Sequence, residues 1–460
     1  MGRLAVALWL FVAWVVLPCA PALAHATLIG ASPPQGGKAP APPERVELRF
    51  TEPVDAGFDP VVVRDAAGAR VDEHDARVDP EDARVVLVDL EELPEGAYTV
   101  EWRVTSIDGH VVEGRYGFAV GDRVAHGEDA HGAAGLRVED RGTGQSGRES
   151  AQRRHGGHPK EASPGQGEPT AGTEHGVALA ATALLAGLAP FVALVWLPAS
   201  GQTGGAGHGA LRPFGVLAWV LFSVLAAAGV SEVSAYAVRA SGEPLGTGLF
   251  AQTLFGSRVG AVWLVRLGLA LVTAVAITVA ARSGRTWPWW AAAGTGGLLL
   301  MTLTGLSHAA ATGRLLPLVA DWTHAVAAAV WMGGLLGFAV ALFSGPLRAL
   351  PPDRRAKLRE RSVRRFSAVA TIAVVVLAAT GLYATLLHVP SPQALVDTPY
   401  GRALLVKLGL LTFVLPMGAS NFLLGGRGPF GRLIVVELLL ALALFVATGF
   451  LTSLPPASGT

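Results

Sequence analysis

Ala22-Leu23-Ala24-His25-Ala26-Thr27-Leu28-Ile29-Gly30-Ala31-Ser32-Pro33-Pro34 is the stretch at which the chain divides. Upstream lie Arg3 and an apolar run from Leu4 to Val16, followed by the small-x-small sequence Ala22–Ala24. A basic start, a short apolar core and small residues before a cut read as a secretory signal peptide over residues 1–24. Cleavage after Ala24 makes His25 the mature N-terminus and exports the domain that begins there. A free amine and an imidazole on one residue chelate a borderline metal ion. The plainer alternative is a His that stands after the cut by chance. Cys19 raises lipoprotein processing as a competing cut, but Pro18 before it disfavours that, and lipidation there would leave His25 inside the chain.

The totals narrow the class. The chain has 460 residues, 51% of them apolar, and a positive mean hydropathy. That is too apolar for a soluble protein and predicts several membrane spans. A net charge of +1 gives no basic field for nucleic acid. The single Cys belongs to the signal peptide, so the mature chain has no disulfide, thiolate ligand or haem-attachment motif. Four Met leave few soft sulfur ligands for Cu(I). Metal chemistry here falls to His, carboxylate and backbone nitrogen.

Residues 25–121 read as an exported all-β domain. Val46, Leu48 and Phe50 alternate with Glu47 and Arg49, the period of a half-buried strand. Val61–Val63 and Val85–Val88 are short apolar runs. Tyr98, Val100, Trp102 and Val104 alternate, as do Tyr116, Phe118 and Val120. Turn residues at Pro33-Pro34, Asp65 to Gly68, Pro80, Pro94 to Gly96 and Asp108-Gly109 separate them. About seven short strands in a domain of this size predict a β-sandwich. Asp108-Gly109-His110 sits between the last two strong strands. Asp and His flanking a Gly can point at one ion, although Asp-Gly also makes a hairpin turn with no further purpose.

The segments HATLIGASPPQGG, PPERVELRFTEPV and WRVTSIDGHVVEGRYGFAV resemble a CopC-type copper-binding domain over essentially its whole length. The resemblance implies an Ig/cupredoxin-like Greek-key sandwich. It also implies one Cu(II) site, in which His25 supplies amine and imidazole, His110 a second imidazole and Asp108 a carboxylate oxygen. The Met-rich segment that some members use for Cu(I) is missing. His74, between Glu73 and Asp75, matches no ligand motif and reads as a solvated loop.

Residues 122–175 lose all periodicity and read as a disordered linker carrying His126, His131, His155, His158 and His175. These histidines either capture metal weakly or simply belong to a polar tether. The rest, residues 176–454, holds eight long apolar segments: Gly176–Leu197, Leu211–Tyr236, Val259–Ala281, Trp287–Ser307, Leu316–Phe343, Phe366–Leu387, Ala403–Leu424 and Leu433–Leu454. This predicts an all-α polytopic membrane domain of eight transmembrane helices. With the sandwich outside, eight spans return the C-terminus to the outside. Basic residues agree: Arg348 to Arg365, Arg212, Arg282, Arg285, Arg427 and Arg432 fall in inside loops and far outnumber Arg239, Arg258, Arg314 and Arg402 outside.

That topology places His308, Asp321, His324, His388, Glu232, Arg266 and Lys407 in the outer third, where ionisable groups are costly and usually functional or paired. Glu437 stands apart near the inner end. Asp321 and His324 share a helical face, so the Asp can orient a ligating His. The alternative is that these residues reach headgroups, which suits His388 before Pro390. RRFSAVATIAVVVLAATGLYATLLHV, LVDTPYGRALLVKLGLL, Asn421 and DWTHAVAAAVWMGGL resemble the CopD copper-resistance membrane proteins.

A CopC domain fused to a CopD domain implies a copper-binding membrane protein, not an enzyme, in a bacterial inner membrane. It would capture Cu(II) outside and import copper along His308, Asp321, His324 and His388. Its partners would be copper ion and the lipid bilayer, with no nucleic acid and no nucleotide. Two alternatives stay open: an extracytoplasmic buffer or sensor that moves nothing, and a redox protein with haem held by His308 and His324.

Overall fold

The computed structural model describes residues 26–55, 57, 59–106, 111–121, 169–201, 211–304, 314–343, 347, 350–423 and 430–452. The expected signal peptide and nearly all of the expected linker lie outside these residues.

The N-terminal part is a sandwich of two sheets. One has the order β1 (Leu28–Ser32), β3 (Arg45–Phe50), β7 (Val85–Asp89), β6 (Arg77–Val78). The other runs β2 (Lys38–Ala39), β9 (Val111–Val120), β8 (Gly96–Ser106), β4 (Val54–Asp55), with β5 (Val61–Asp65) also paired to β8. Each alternating run of the sequence becomes a strand. β2, β4 and β6 are two residues each, too short to leave a period. Val46, Leu48, Phe50, Val63, Val88 and Val100 are fully buried and join the two sheets in one core. Opposite Trp102 in the β8–β9 ladder stands Gly114, and the indole fills the space its Cβ would need.

His74 is exposed and lies in a loop, as its sequence context indicates. Its neighbour Asp72 is buried, and accepts hydrogen bonds from the Val63 amide at 2.8 Å and from Arg70. Burial works to raise the Asp72 carboxyl, but Arg70 and the amides of Val63 and His74 override it and hold it below the ordinary carboxylate range. Asp72 is therefore a structural carboxylate.

The second part is helical. Its elements are α1 (Pro169–Pro190), which continues through a π turn (Phe191–Trp196) into Leu197–Ser200, then α2 (Arg212–Ser241), α3 (Thr247–Gly256) and α4 (Arg258–Ser283). Next come α5 (Trp287–Thr304), α6 (Leu315–Phe343), α7 (Pro352–His388), α8 (Ala394–Asp397), α9 (Pro399–Leu423) and α10 (Phe430–Thr452). Local chemistry sets several ends. Gly242 and Gly284 close α2 and α4 at φ of 73° and 64°, a left-handed conformation that favours glycine. Ser257 caps α4, its Oγ accepting from the Gly260 amide at 3.0 Å.

Among the described residues, seven helices are long and apolar enough to cross a membrane. The expected span Trp287–Ser307 is the exception. Its helix, α5, is diluted by Trp287, Pro288, Trp289 and Trp290 at its start and by Gly294, Gly296 and Gly297 at its middle. α1 also starts at Pro169, ahead of the expected Gly176, and so takes His175 out of the linker. Val216, Val265 and Leu439 are more than half exposed on the helical surface, as side chains facing lipid would be.

α1 is the central helix: 78% of its span is buried, against 61% or less for the other spans. Its small residues admit neighbouring backbones. A Cβ at Gly187 would lie 1.9 Å from the Ala329 carbonyl oxygen of α6, and one at Gly333 would meet Gly187. Gly296 of α5 approaches Ala186, and Gly176 approaches Val446 of α10. Gly187→Ala should therefore destabilise the protein despite its better helix propensity, by at least the ~1–3 kcal/mol typical of overpacking. Gly268→Ala, at a position with open space, should not. Thermal unfolding of the detergent-solubilised pair decides; equal midpoints would contradict this packing.

Candidate metal centre and its docking face

Two described segments flank the expected ligands of the sandwich, and they converge. Thr27, two residues after His25, donates its amide to Thr51 Oγ1 at 2.9 Å, and the Thr51 amide donates to the Thr27 carbonyl at 2.9 Å. Ser106, two residues before Asp108, donates to Glu52 Oε1 at 2.5 Å and faces Val54 in the β4–β8 ladder. The segment 51–54 thus holds the start of β1 and the end of β8 at one end of the sandwich. β8 and β9 pair up to Thr105 opposite Val111, which leaves 107–110 as the connection between them. His25, Asp108 and His110 themselves lie outside the described residues.

That same end rests on the helical domain. Thr105 Oγ1 and the Tyr236 hydroxyl of α2 lie 3.0 Å apart, buried. Asp55 Oδ2 accepts the Arg258 amide at the start of α4 at 3.3 Å. Val111 packs against the helical core. The Arg103 guanidinium, paired with Glu113 at 3.0 Å, lies against Gly242 at the C-terminus of α2. A cation there complements the partial negative charge of the helix end.

The ionisable residues of the helical domain sort into two groups. In the first, His175 Nδ1 of α1 is 3.1 Å from Glu232 Oε1 of α2. Arg266 of α4 is buried, interacts with the Glu232 charge, lies 4.4 Å over the Trp263 ring, and donates to Thr302 Oγ1 at 3.0 Å and the Thr302 carbonyl at 2.9 Å on α5. In the second group, His324 Nδ1 of α6 lies 2.8 Å from Thr380 Oγ1 of α7. Lys407 of α9 is near enough for its charge to act on His324 and Asp321. His388 is buried at the end of α7 with its ring 6.2 Å from that of Tyr400. Trp322 joins the groups by donating to the Gly297 carbonyl of α5 at 3.0 Å. His308 lies outside the described residues.

Among the described residues, no three His, Cys, Asp or Glu side chains form a cluster able to hold a metal ion. What the helical domain offers is one imidazole–carboxylate pair, His175 with Glu232, whereas His324, three residues after Asp321 on α6, has its Nδ1 against the Thr380 hydroxyl instead. Sequence reasoning found Glu232, Arg266 and Lys407 as charges in apolar helices. It missed the pairing of His175, which polar surroundings disguised as linker, and the hydroxyl partners Thr302 and Thr380.

Comparison with known proteins accounts for both halves. Residues 28–121 match the CopC domain, 175–317 the copper resistance protein D-like N-terminal domain, and 360–451 copper resistance protein D. The copper transport protein CutJ of Bacillus subtilis (strain 168) is 27% identical over 447 residues, covering 94% of this chain and 74% of that one. Copper resistance protein C of Escherichia coli is 33% identical over 106 residues, 22% of this chain and 83% of its own. The crystal structure of CopC from Methylosinus trichosporium OB3b aligns at 35% identity over 21% of this chain and 94% of that one, with a TM-score of 0.20.

The docked hydroxyl pair is testable. Tyr236→Phe alone leaves buried Thr105 without this contact and should cost about 1–3 kcal/mol. Thr105→Val with Tyr236→Phe should cost less than the sum of the single changes. Strict additivity in thermal unfolding would place the two residues apart.

Proposed function

The chain belongs to the copper-resistance proteins that join a CopC domain to a CopD membrane domain, and from this premise we propose that it captures Cu(II) outside the cell membrane and imports copper through its helical domain. The capture site is His25, with its amine and imidazole, His110 and Asp108. A nitrogen-rich set with one carboxylate oxygen suits Cu(II), which also heads the affinity order of the divalent ions. The observation that carries this reading is the convergence of Thr27 and Ser106 on the segment 51–54. Residues close in sequence to the three proposed ligands are held at one end of the sandwich, and that end rests on the helices.

The charges orient the chain in the membrane. The sandwich and the C-terminus lie outside, the basic residues from Arg354 to Arg365 at the start of α7 lie inside, and α5 crosses beside the other spans. Its 18 residues span about 27 Å at 1.5 Å per residue, close to the hydrocarbon thickness. The C-termini of α2 and α7 and the N-termini of α4, α6 and α9 then share the outer side with the sandwich. Copper leaving the sandwich meets imidazole and carboxylate groups at that level, among them Asp321, His324 and His388, and His308 follows the last described residue of α5 by four positions in the sequence. A neutral imidazole is the ligand form, and His is neutral near pH 7 unless an acid neighbour holds its proton.

Two outcomes are expected. The exported segment beginning at His25 should bind one Cu(II), and binding should weaken markedly when a Met precedes His25 or with His110→Ala, but not with His74→Ala. A greater loss with His74→Ala would move the site. In cells, His324→Ala should lower copper content at matched expression while leaving Cu(II) binding by the sandwich unchanged. Wild-type copper content in that variant would remove His324 from the path.

A further inference from the structure

The His175–Glu232 pair is a polar contact that neither the family matches nor the capture site explains. It joins the central helix α1 to α2 at 3.1 Å. Glu232 stands one helical turn, about 6 Å, deeper than Tyr236 on α2. Tyr236 is the residue that touches Thr105, and Thr105 is three positions from Asp108. The pair is therefore the first imidazole–carboxylate set beneath the hairpin connection among the described residues. Both side chains keep some exposure, 33% for His175 and 19% for Glu232.

We propose that His175 and Glu232 form a copper-accepting site that takes Cu(II) from the sandwich before it enters the helical domain. This rests on the copper-capture reading above. An imidazole nitrogen and a carboxylate oxygen are ligands that Cu(II) accepts readily. Two protein ligands leave coordination positions open, which suits an ion in passage better than a closed structural site. The chemistry balances without a redox step. Cu(II) enters between Nδ1 and Oε1, and the proton these atoms share leaves to solvent. Arg266, held by its two hydrogen bonds to Thr302, stays beside Glu232 and gives the carboxylate a resident counter-charge when the site is empty.

The bland alternative is an ion pair that only fastens α1 to α2. Two substitutions separate the readings. Glu232→Gln keeps a hydrogen-bonding side chain of the same size but removes the anionic ligand. His175→Lys keeps a cation beside Glu232 but offers no neutral nitrogen near pH 7. The purified full chain, Glu232→Gln, His175→Lys and His110→Ala are each titrated with Cu(II) in equilibrium dialysis, with electron paramagnetic resonance of the bound ion. Linker histidines are common to all four and cancel. The proposal expects Glu232→Gln and His175→Lys each to lose one weaker equivalent, one with a single imidazole nitrogen coupling, while the tight equivalent remains. Unchanged stoichiometry in both variants, alongside loss of the tight equivalent in His110→Ala, overturns the accepting site and leaves the capture reading standing. An unaltered His110→Ala overturns the capture reading, and the accepting site falls with it.

Discussion

The backbone contact between Gly187 and Gly333 is the constraint on which the helical domain depends. In lipid no hydrophobic effect drives helices together, so association relies on close packing and on hydrogen bonds. Small residues on α1 allow α6 to approach until a single added Cβ would strike a carbonyl oxygen. The same helix admits α5 at Ala186 and α10 at Gly176. With α1 at the centre, its first turns are fixed against α2, and His175 is carried to Glu232. The position of the His175–Glu232 pair thus follows from how closely small residues let α1 pack in the bundle.

A second constraint sits above it. The sandwich meets the helices through polar contacts of two kinds: the buried hydroxyl pair of Tyr236 and Thr105, and the exposed contacts of Asp55 with the first amide of α4 and of Arg103 with the Gly242 turn. These contacts come from β4 and β8, the strands that converge near the proposed copper ligands. In the proposed reading, capture and entry are neighbouring steps, and a captured ion need not return to bulk water.

Much of this was legible in the sequence, for identifiable reasons. Val46, Leu48 and Phe50 declare a strand because one face is buried and the other is not. Apolar segments of about twenty residues declare spans because lipid demands them. α5 is harder: its opening tryptophans and central glycines lower its apolarity, although Gly296 brings it against Ala186 of α1 and Trp289 packs on Phe214 of α2. α3 was missed because a ten-residue helix between two spans has no length signature. Glu232 and Arg266 stood out as charges among apolar residues, whereas His175 did not, since helical residues from Pro169 onward continue the composition of the polar segment before them. The contact of Thr105 with Tyr236 joins positions 131 residues apart, and no local pattern encodes it.

Import is the central claim, and flux tests it most directly. The full chain is reconstituted in liposomes with the sandwich facing outward, Cu(II) is added outside, and luminal copper is followed with time after external metal is stripped. The account predicts luminal copper that rises with time and falls toward the empty-liposome level in His110→Ala. Copper bound to the sandwich with a lumen that stays empty would contradict it and leave the chain an external copper holder.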